Sequence, residues 1–547
     1  MPSFELSGKV VDLFKRSIYS ATVSIKEGKI YSIQPIEKAP DRYILPGLVD
    51  AHVHIESSML PPSSFARLAV VHGTVATVSD PHEIANVCGA EGIRFMIANS
   101  KESPLKIFFG APSCVPATSF ETAGALINAG EVGALMHDKD IWYLSEVMNY
   151  PGVINKDPEV LAKLARAREA GKPIDGHAPG LRGEMLTRYA AAGISTDHES
   201  FELEEALDKV KNGMYCLIRE GSAAKNFDAL IPMLRTHPES VMFCCDDKHP
   251  DELLLHHIND HVKRALANGY DIFDVLVAAS VHPVTHYGLP VGLLREGDAA
   301  DFIVVDRLKE FNITQTYIDG RLIAENGKSL LPHVSVEPKN NFCATPTTPK
   351  EFGLKAISGK RNIRVIEAVE GQLVTRGCIE KAKIVHGKLV CDPENDILKI
   401  VVINRYAPGV APAIGFIKNF GLKKGAIAST IAHDCHNIIA VGADDGALSA
   451  AVNAVIEAKG GISVAESKHD VYCLPLAIAG LMSTEDAYTV AEEYSAMDKR
   501  AKELGSTLRS PFMTLSFMAL LVIPSIKLSD QGLFDGSAFR FTEVQVD

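Results

Sequence analysis

Leu45-Pro-Gly-Leu-Val-Asp-Ala-His-Val-His54 reads as a short buried strand, opened by a Pro-Gly turn and closed by two histidines. Residues two apart on a strand project from the same face. His52 and His54 can therefore aim at one point beyond the strand's C-terminal end, and neutral imidazole is a ligand for zinc, iron and manganese. An isolated His-x-His is equally what a solvated strand end looks like. The segment gains weight because the chain keeps supplying ligand-type residues at similar places downstream.

Working outward, apolar β runs alternate with helical stretches, the pattern of a parallel sheet with crossover helices. Eight runs can be traced: Leu48 to His54, Thr74 to Val78, Lys106 to Gly110, Ile141 to Leu144, Pro173 to His177, Ile194 to His198, Met214 to Ile218 and Val241 to Cys245. Pro158 to Ala170 and Leu203 to Lys211 have helical spacing and good helix formers. The expected fold is a closed (β/α)8 barrel over residues 47–290, with its chemistry at the strands' C-terminal ends. Alternating segments at 1–46 and 291–336 predict one small β-sandwich-like domain built from both flanks. Past the linker Pro338 to Pro349, residues 337–547 predict a further α/β or α+β domain.

The strand ends then collect two histidines from the first run, Glu146 from the fourth, His177 from the fifth, His198 from the sixth and Asp246 from the eighth. Four imidazoles and two carboxylates are too many for one tetrahedral ion but suit two adjacent ones. A carboxylate from the fourth strand can give one oxygen to each. Two such ions share a water and lower its pKa, and a final Asp beside it can carry the proton.

The totals narrow the partners. The chain has 547 residues, 46% hydrophobic and 22% charged, with a net charge of −13, which disfavours a nucleic-acid polymer or an anionic membrane surface. Met1 to Lys9 leads into no signal-type apolar core, and the longest apolar run, Phe512 to Ile526, contains Pro524 and reads as core. Ten irregularly spaced cysteines with no Cys-x-x-Cys point to free thiols in a reducing, cytoplasmic setting. The absence of that pair also leaves a zinc ribbon or a redox dithiol unsupported. A homo-oligomer is expected, with a dimer favoured.

The opening motif, the strand-end histidines, the strand-eight Asp and the closing Gly297-Asp-Ala-Ala-Asp-Phe-Ile-Val-Val305 resemble the amidohydrolase superfamily. Within it the chain is similar to the prokaryotic adenine deaminase family. The motifs are His54-Ile-Glu-Ser-Ser-Met59, Asp80-Pro-His-Glu-Ile-Ala-Asn86, Ser145-Glu-Val-Met-Asn149, Asp175-Gly-His-Ala-Pro179, Asp246-Asp-Lys-His249 and Ala432-His-Asp-Cys-His-Asn-Ile-Ile439, with Phe517-Met-Ala-Leu520 and Gly532-Leu-Phe534 in the tail. One departure is Glu146, where many superfamily members carry a carbamylated lysine. The resemblance implies hydrolytic deamination of adenine to hypoxanthine and ammonia, and metal ligation by His52, His54, Glu146, His177, His198 and Asp246. It also implies two divalent ions per chain, manganese first, with iron or zinc acceptable to the same ligands.

Around that set, Asp246, Glu83 and Asp247 are candidate catalytic groups, and His82, Ser113, Thr118, Arg219 and Lys248 candidate purine contacts. For Glu83 the alternative is a solvated loop carboxylate, and for Asp247 and Lys248 a solvated turn. His72 and His282 read as packing histidines, and His256-His257 as an exposed helix face. The pair His433/His436 is open between a structural role, a second metal site and a contribution to the first. Two other functions remain to be weighed: a cyclic-amide hydrolase of the dihydroorotase or hydantoinase kind, and a non-catalytic scaffold on the same barrel.

Overall fold

A computed structural model describes residues 3–547. Strand Leu48–Val53 opens the barrel, followed by Thr74–Ser79, Lys106–Ala111, Ile141–Val147, Ile174–Gly176, Thr196–Asp197, Tyr215–Arg219 and Val241–Cys244. All eight expected runs are strands, and each pairs in parallel with its neighbour within a five-stranded and a three-stranded sheet. Two seams join these sheets into a closed barrel. Ser195 N donates to Ile174 O at 2.9 Å, while Asp246 N donates to His52 O at 2.9 Å and His54 N to Asp246 O at 3.3 Å.

Local sequence explains these elements. Thr74–Ser79 is buried along its whole length, as β-branched runs in parallel sheets are. Helix Pro158–Glu169 starts where Asp157 accepts from Glu159 N and Val160 N with Pro158 just inside, a strong N-terminal signal. Gly47 lets the first strand pass its neighbour, since a Cβ there would lie 2.3 Å from Val75 Cγ1.

Both flanks form one eight-stranded sheet in which Phe302–Val305 pairs antiparallel with Tyr43–Pro46. Lys106 fastens this sheet to the third barrel strand, with Nζ 2.7 Å from Asp301 and 2.9 Å from Asp319. The C-terminal part is α+β: a nine-stranded, mainly antiparallel sheet, centred on Ala413–Lys418, Leu398–Ile403 and Ile438–Gly442, with helices Asp445–Glu457 and Ala487–Glu503. Its apolar core is continuous with the barrel's. Ser483 N donates to Met59 O at 2.8 Å, and Tyr494 Oη lies 2.5 Å from His249 Nδ1.

His72 and His282 pack as expected against Leu253 O and Val241 O. His257 does not lie on an exposed face. It is fully buried, with Nε2 2.9 Å from Asp50 and Nδ1 2.6 Å from Thr74 Oγ1, so it ties the first two barrel strands together. The helix breaks at this point, with His257 capping Ile258–Ala267, and helical periodicity drawn across the break gave the wrong face. All ten cysteines are free. Among the described residues, no helix is long and apolar enough to cross a membrane.

Lys209 supports the loops that carry two of the histidines. Its buried ammonium donates to Asp197 at 2.5 Å, Glu205 at 2.8 Å and Ala178 O at 2.9 Å. Asp197 and Ala178 adjoin His198 and His177. Lys209→Met keeps the volume but leaves two buried carboxylates uncompensated. The first urea transition should lose about 3–5 kcal/mol, and an unchanged midpoint would show that the ammonium supports nothing.

Candidate metal centre at the barrel mouth

His52 and His54 leave the first strand on one face, with their Nε2 atoms 3.2 Å apart. His54 Nδ1 donates to Asp80 O at 3.1 Å, which fixes the tautomer and leaves Nε2 as the lone-pair atom facing inward. Asp246 closes the group, its Oδ1 3.5 Å from His52 Nε2 and 3.1 Å from His54 Nε2. It reaches there because it turns off the eighth strand at φ +56°, a conformation Asp tolerates better than most residues.

Glu146 stands between this group and the next. Its Oε1 lies 3.4 Å from His54 Nε2, while Oε2 lies 2.7 Å from His177 Nδ1 and 3.2 Å from His198 Nε2. The His52 and His198 rings stack at 4.1 Å. All six residues expected to ligate therefore meet in one buried cluster.

The electrostatics of the cluster favour a cation. Burial alone would raise the pKa of Glu146, yet His177 and hydrogen bonds from His177, His198 and His54 hold it well below the carboxylate range. Asp246 is likewise depressed, with Arg219, His52 and His54 outweighing burial. Burial would lower His177, but Glu199 and Glu146 push it up to about 9. Several buried ligand-type atoms also have no hydrogen-bond partner: His177 Nε2, His52 Nδ1 and Glu199 Oε2. Imidazole and carboxylate atoms that converge within 4.8 Å of one another, with unused lone pairs, fit first-row divalent metals.

His82, Glu83 and Asp247 also line the pocket. His82 Nδ1 is 3.1 Å from Asp80 Oδ2 and 3.5 Å from Glu146 Oε1. Asp247 accepts from Ser57 Oγ at 2.5 Å and is buried rather than solvated. Glu83 is buried as well, gripped by His433 and His436. The remaining expected contacts do not face the pocket. Arg219 spends its charge on Glu199 and Asp246. Ser113 Oγ donates to Glu146 O at 2.5 Å and lines a separate cavity of about 960 Å³, as does Thr118. Lys248 Nζ donates to Glu220 O at 3.2 Å. Following a strand in sequence did not make these side chains point inward.

Sequence reasoning missed Glu199, 3.4 Å from His198 Nε2, and the roof of the pocket. Leu373, His433, Asp434, Phe517 and Leu520 all come from the C-terminal part. The motifs containing His433 and Phe517 stand out in the sequence, but nothing local joins them to the barrel.

Known proteins resemble the chain end to end. The Amidohydrolase family matches residues 43–323, and the Adenine deaminase C-terminal domain matches residues 372–540. A protein named adenine deaminase from Salinibacter ruber is 55% identical over 546 residues, spanning 100% of this chain and 99% of the relative. One so named from Methanosarcina acetivorans is 54% identical, covering 98% of each. Another from Borreliella burgdorferi is 48% identical, covering 99% of this chain and 100% of the relative.

Proposed function

Since the chain belongs to the adenine deaminase family of amidohydrolases, we propose that it hydrolyses adenine to hypoxanthine and ammonia at the barrel mouth, a step of purine salvage in the cytoplasm. The observation that carries the site assignment is Glu146, whose two oxygens face separate imidazole groups. Two divalent ions would be held by His52, His54, Glu146, His177, His198 and Asp246, manganese favoured, with iron or zinc also suited to this donor set. When bound, such ions neutralise the buried carboxylates and make water nucleophilic near neutral pH.

The chain's own groups supply the rest. Asp246 has Oδ2 held by Arg219 at 2.5 Å and Oδ1 turned toward the histidines, which suits it to meet the attacking water. It accepts the water's proton as C6 is attacked and returns a proton to N6 as the amine leaves. Ring nitrogen N1 must gain a proton as aromaticity is interrupted; His82 and Asp247 are the pocket groups suited to give it, and the proton of the C6 hydroxyl replaces it on the donor as the carbonyl forms. Leu373, Phe517 and Leu520 cover the pocket with apolar surface and exclude bulk water.

A cyclic-amide hydrolase would use the same barrel ligands but gives no reason for a matched Adenine deaminase C-terminal domain. A scaffold would have no need for a complete ligand set. With the manganese-loaded protein, ultraviolet absorbance should show turnover of adenine and little or none of adenosine, dihydroorotate or dihydrouracil. Adenine left intact would refute the assignment.

Asp246→Asn should lower kcat by about 10²–10⁴-fold, the usual worth of general acid-base help, while at least one metal per chain stays bound. Near-normal turnover would transfer the proton role to Asp247.

Glu146→Gln removes the charge between the two imidazole groups and leaves one good ligating oxygen. Metal analysis should find about one ion per chain instead of two, with activity only partly restored by high manganese. Two retained ions with full turnover would falsify the bridge.

A further inference from the structure

Glu83 is the pocket carboxylate least free to touch a substrate. Its Oε1 accepts from His433 Nδ1 at 2.5 Å, its Oε2 accepts from His436 Nε2, and His82 Nε2 approaches Oε1 at 3.4 Å. Both histidines arrive from the C-terminal part, and all three side chains are buried.

The two histidines differ in what remains unused. His436 is satisfied at both nitrogens: Nε2 donates to Glu83, and Nδ1 accepts from Ala432 N at 3.3 Å. His433 uses Nδ1 on Glu83, but its buried Nε2 has no hydrogen-bond partner, and the nearest carboxylate oxygen is Asp247 Oδ1 at 4.0 Å. Its ring is locked, stacked on Phe517 at 4.4 Å and 14°, with its backbone N donating to Ser516 O at 3.0 Å. His433, Phe517, Leu373 and Leu520 wall the pocket together with Asp434, whose Oδ1 lies 3.8 Å from His82 Nε2, so the His433 nitrogen is a polar point on a largely apolar roof. A buried polar atom without a partner is costly unless something else supplies one. Planar aromatic bases with ring nitrogens suit such a surface.

We propose that His433 is the residue through which the C-terminal part reads the purine: its Nε2 hydrogen-bonds one ring nitrogen of the bound base, and Glu83 and His436 are positioning residues that fix its ring. This rests on the adenine reading of the same pocket. It recasts Glu83, which acts through His433 rather than on the base. Burial would lower the His433 pKa, but Glu83 and Asp247 raise it and so favour the protonated ring, in which Nε2 donates to an acceptor such as N1, N3 or N7.

The test uses the manganese-loaded full chain and calorimetric binding of purine, which has no 6-amino group to lose, beside 1-, 3- and 7-deazapurine. The wild type should bind one deaza analogue about 10–100-fold more weakly than purine, the range of one hydrogen bond to a charged group. His433→Phe, which keeps the stack on Phe517, should bind purine and that analogue alike, with the other two ratios unchanged. His433→Gln, with an amide nitrogen near the position of Nε2, should recover part of the discrimination. Metal content should match the wild type in both variants. Equal losses for all four ligands would make His433 structural and overturn the proposal. So would unaltered purine affinity, or the loss of a metal equivalent. Adenine turnover by the wild type is measured on the same preparation, so failure of the adenine reading is distinguished from failure of this one.

Discussion

The hardest physical demand in this molecule is a carboxylate kept ionised with almost no water around it. Glu146 is 3% exposed, and an isolated buried carboxylate would take up a proton rather than stay charged. It remains an anion because three different barrel strands deliver imidazole nitrogens within 3.4 Å of its oxygens. No single helix or sheet edge could surround one group in this way. A closed barrel can, because every strand ends on the same rim.

Satisfying that one charge creates further charges around it. Asp246 would add a second uncompensated anion, so Arg219 is buried beside it and shared with Glu199. The loops bearing His177 and His198 must not drift, and Lys209 with Asp197 and Glu205 supplies an internal brace. Beneath the rim, Asp50 accepts from His52 N at 3.2 Å and Cys245 N at 3.1 Å and contacts His257. It joins the first barrel strand to the last just below the site. Buried ionic groups of this kind contribute little net stability on their own. Their effect is to hold ligand atoms in place.

Strand-borne features were legible in the sequence because a strand has a strict period of two. Once Leu48 to His54 is a strand, His52 and His54 must share a face, and the same logic places Glu146 and Asp246 at strand ends. Loop residues carry no such rule. Ser113 and Thr118 follow the third strand but turn to another cavity, and Arg219, correctly placed at a strand end, is claimed by two carboxylates. The roof was illegible for a different reason. Glu83 and His433 lie 350 residues apart, and no periodicity or local spacing reaches across so long a stretch of chain.

That separation also has a consequence in time. Domains fold largely as units from the N-terminus during synthesis, at about 5–20 residues per second. The 187 residues between Asp246, the last barrel ligand, and His433 therefore take the ribosome roughly 9–37 s to add at that rate. During that interval the nascent barrel presents Glu83 and a roofless pocket to the surrounding water. A chain that stops short of His433 keeps every barrel ligand yet lacks the partner of Glu83 and the cover over the pocket. Completion of the last third of the polypeptide thus acts as a timer on the assembly of a site whose metal-type ligands were all made long before.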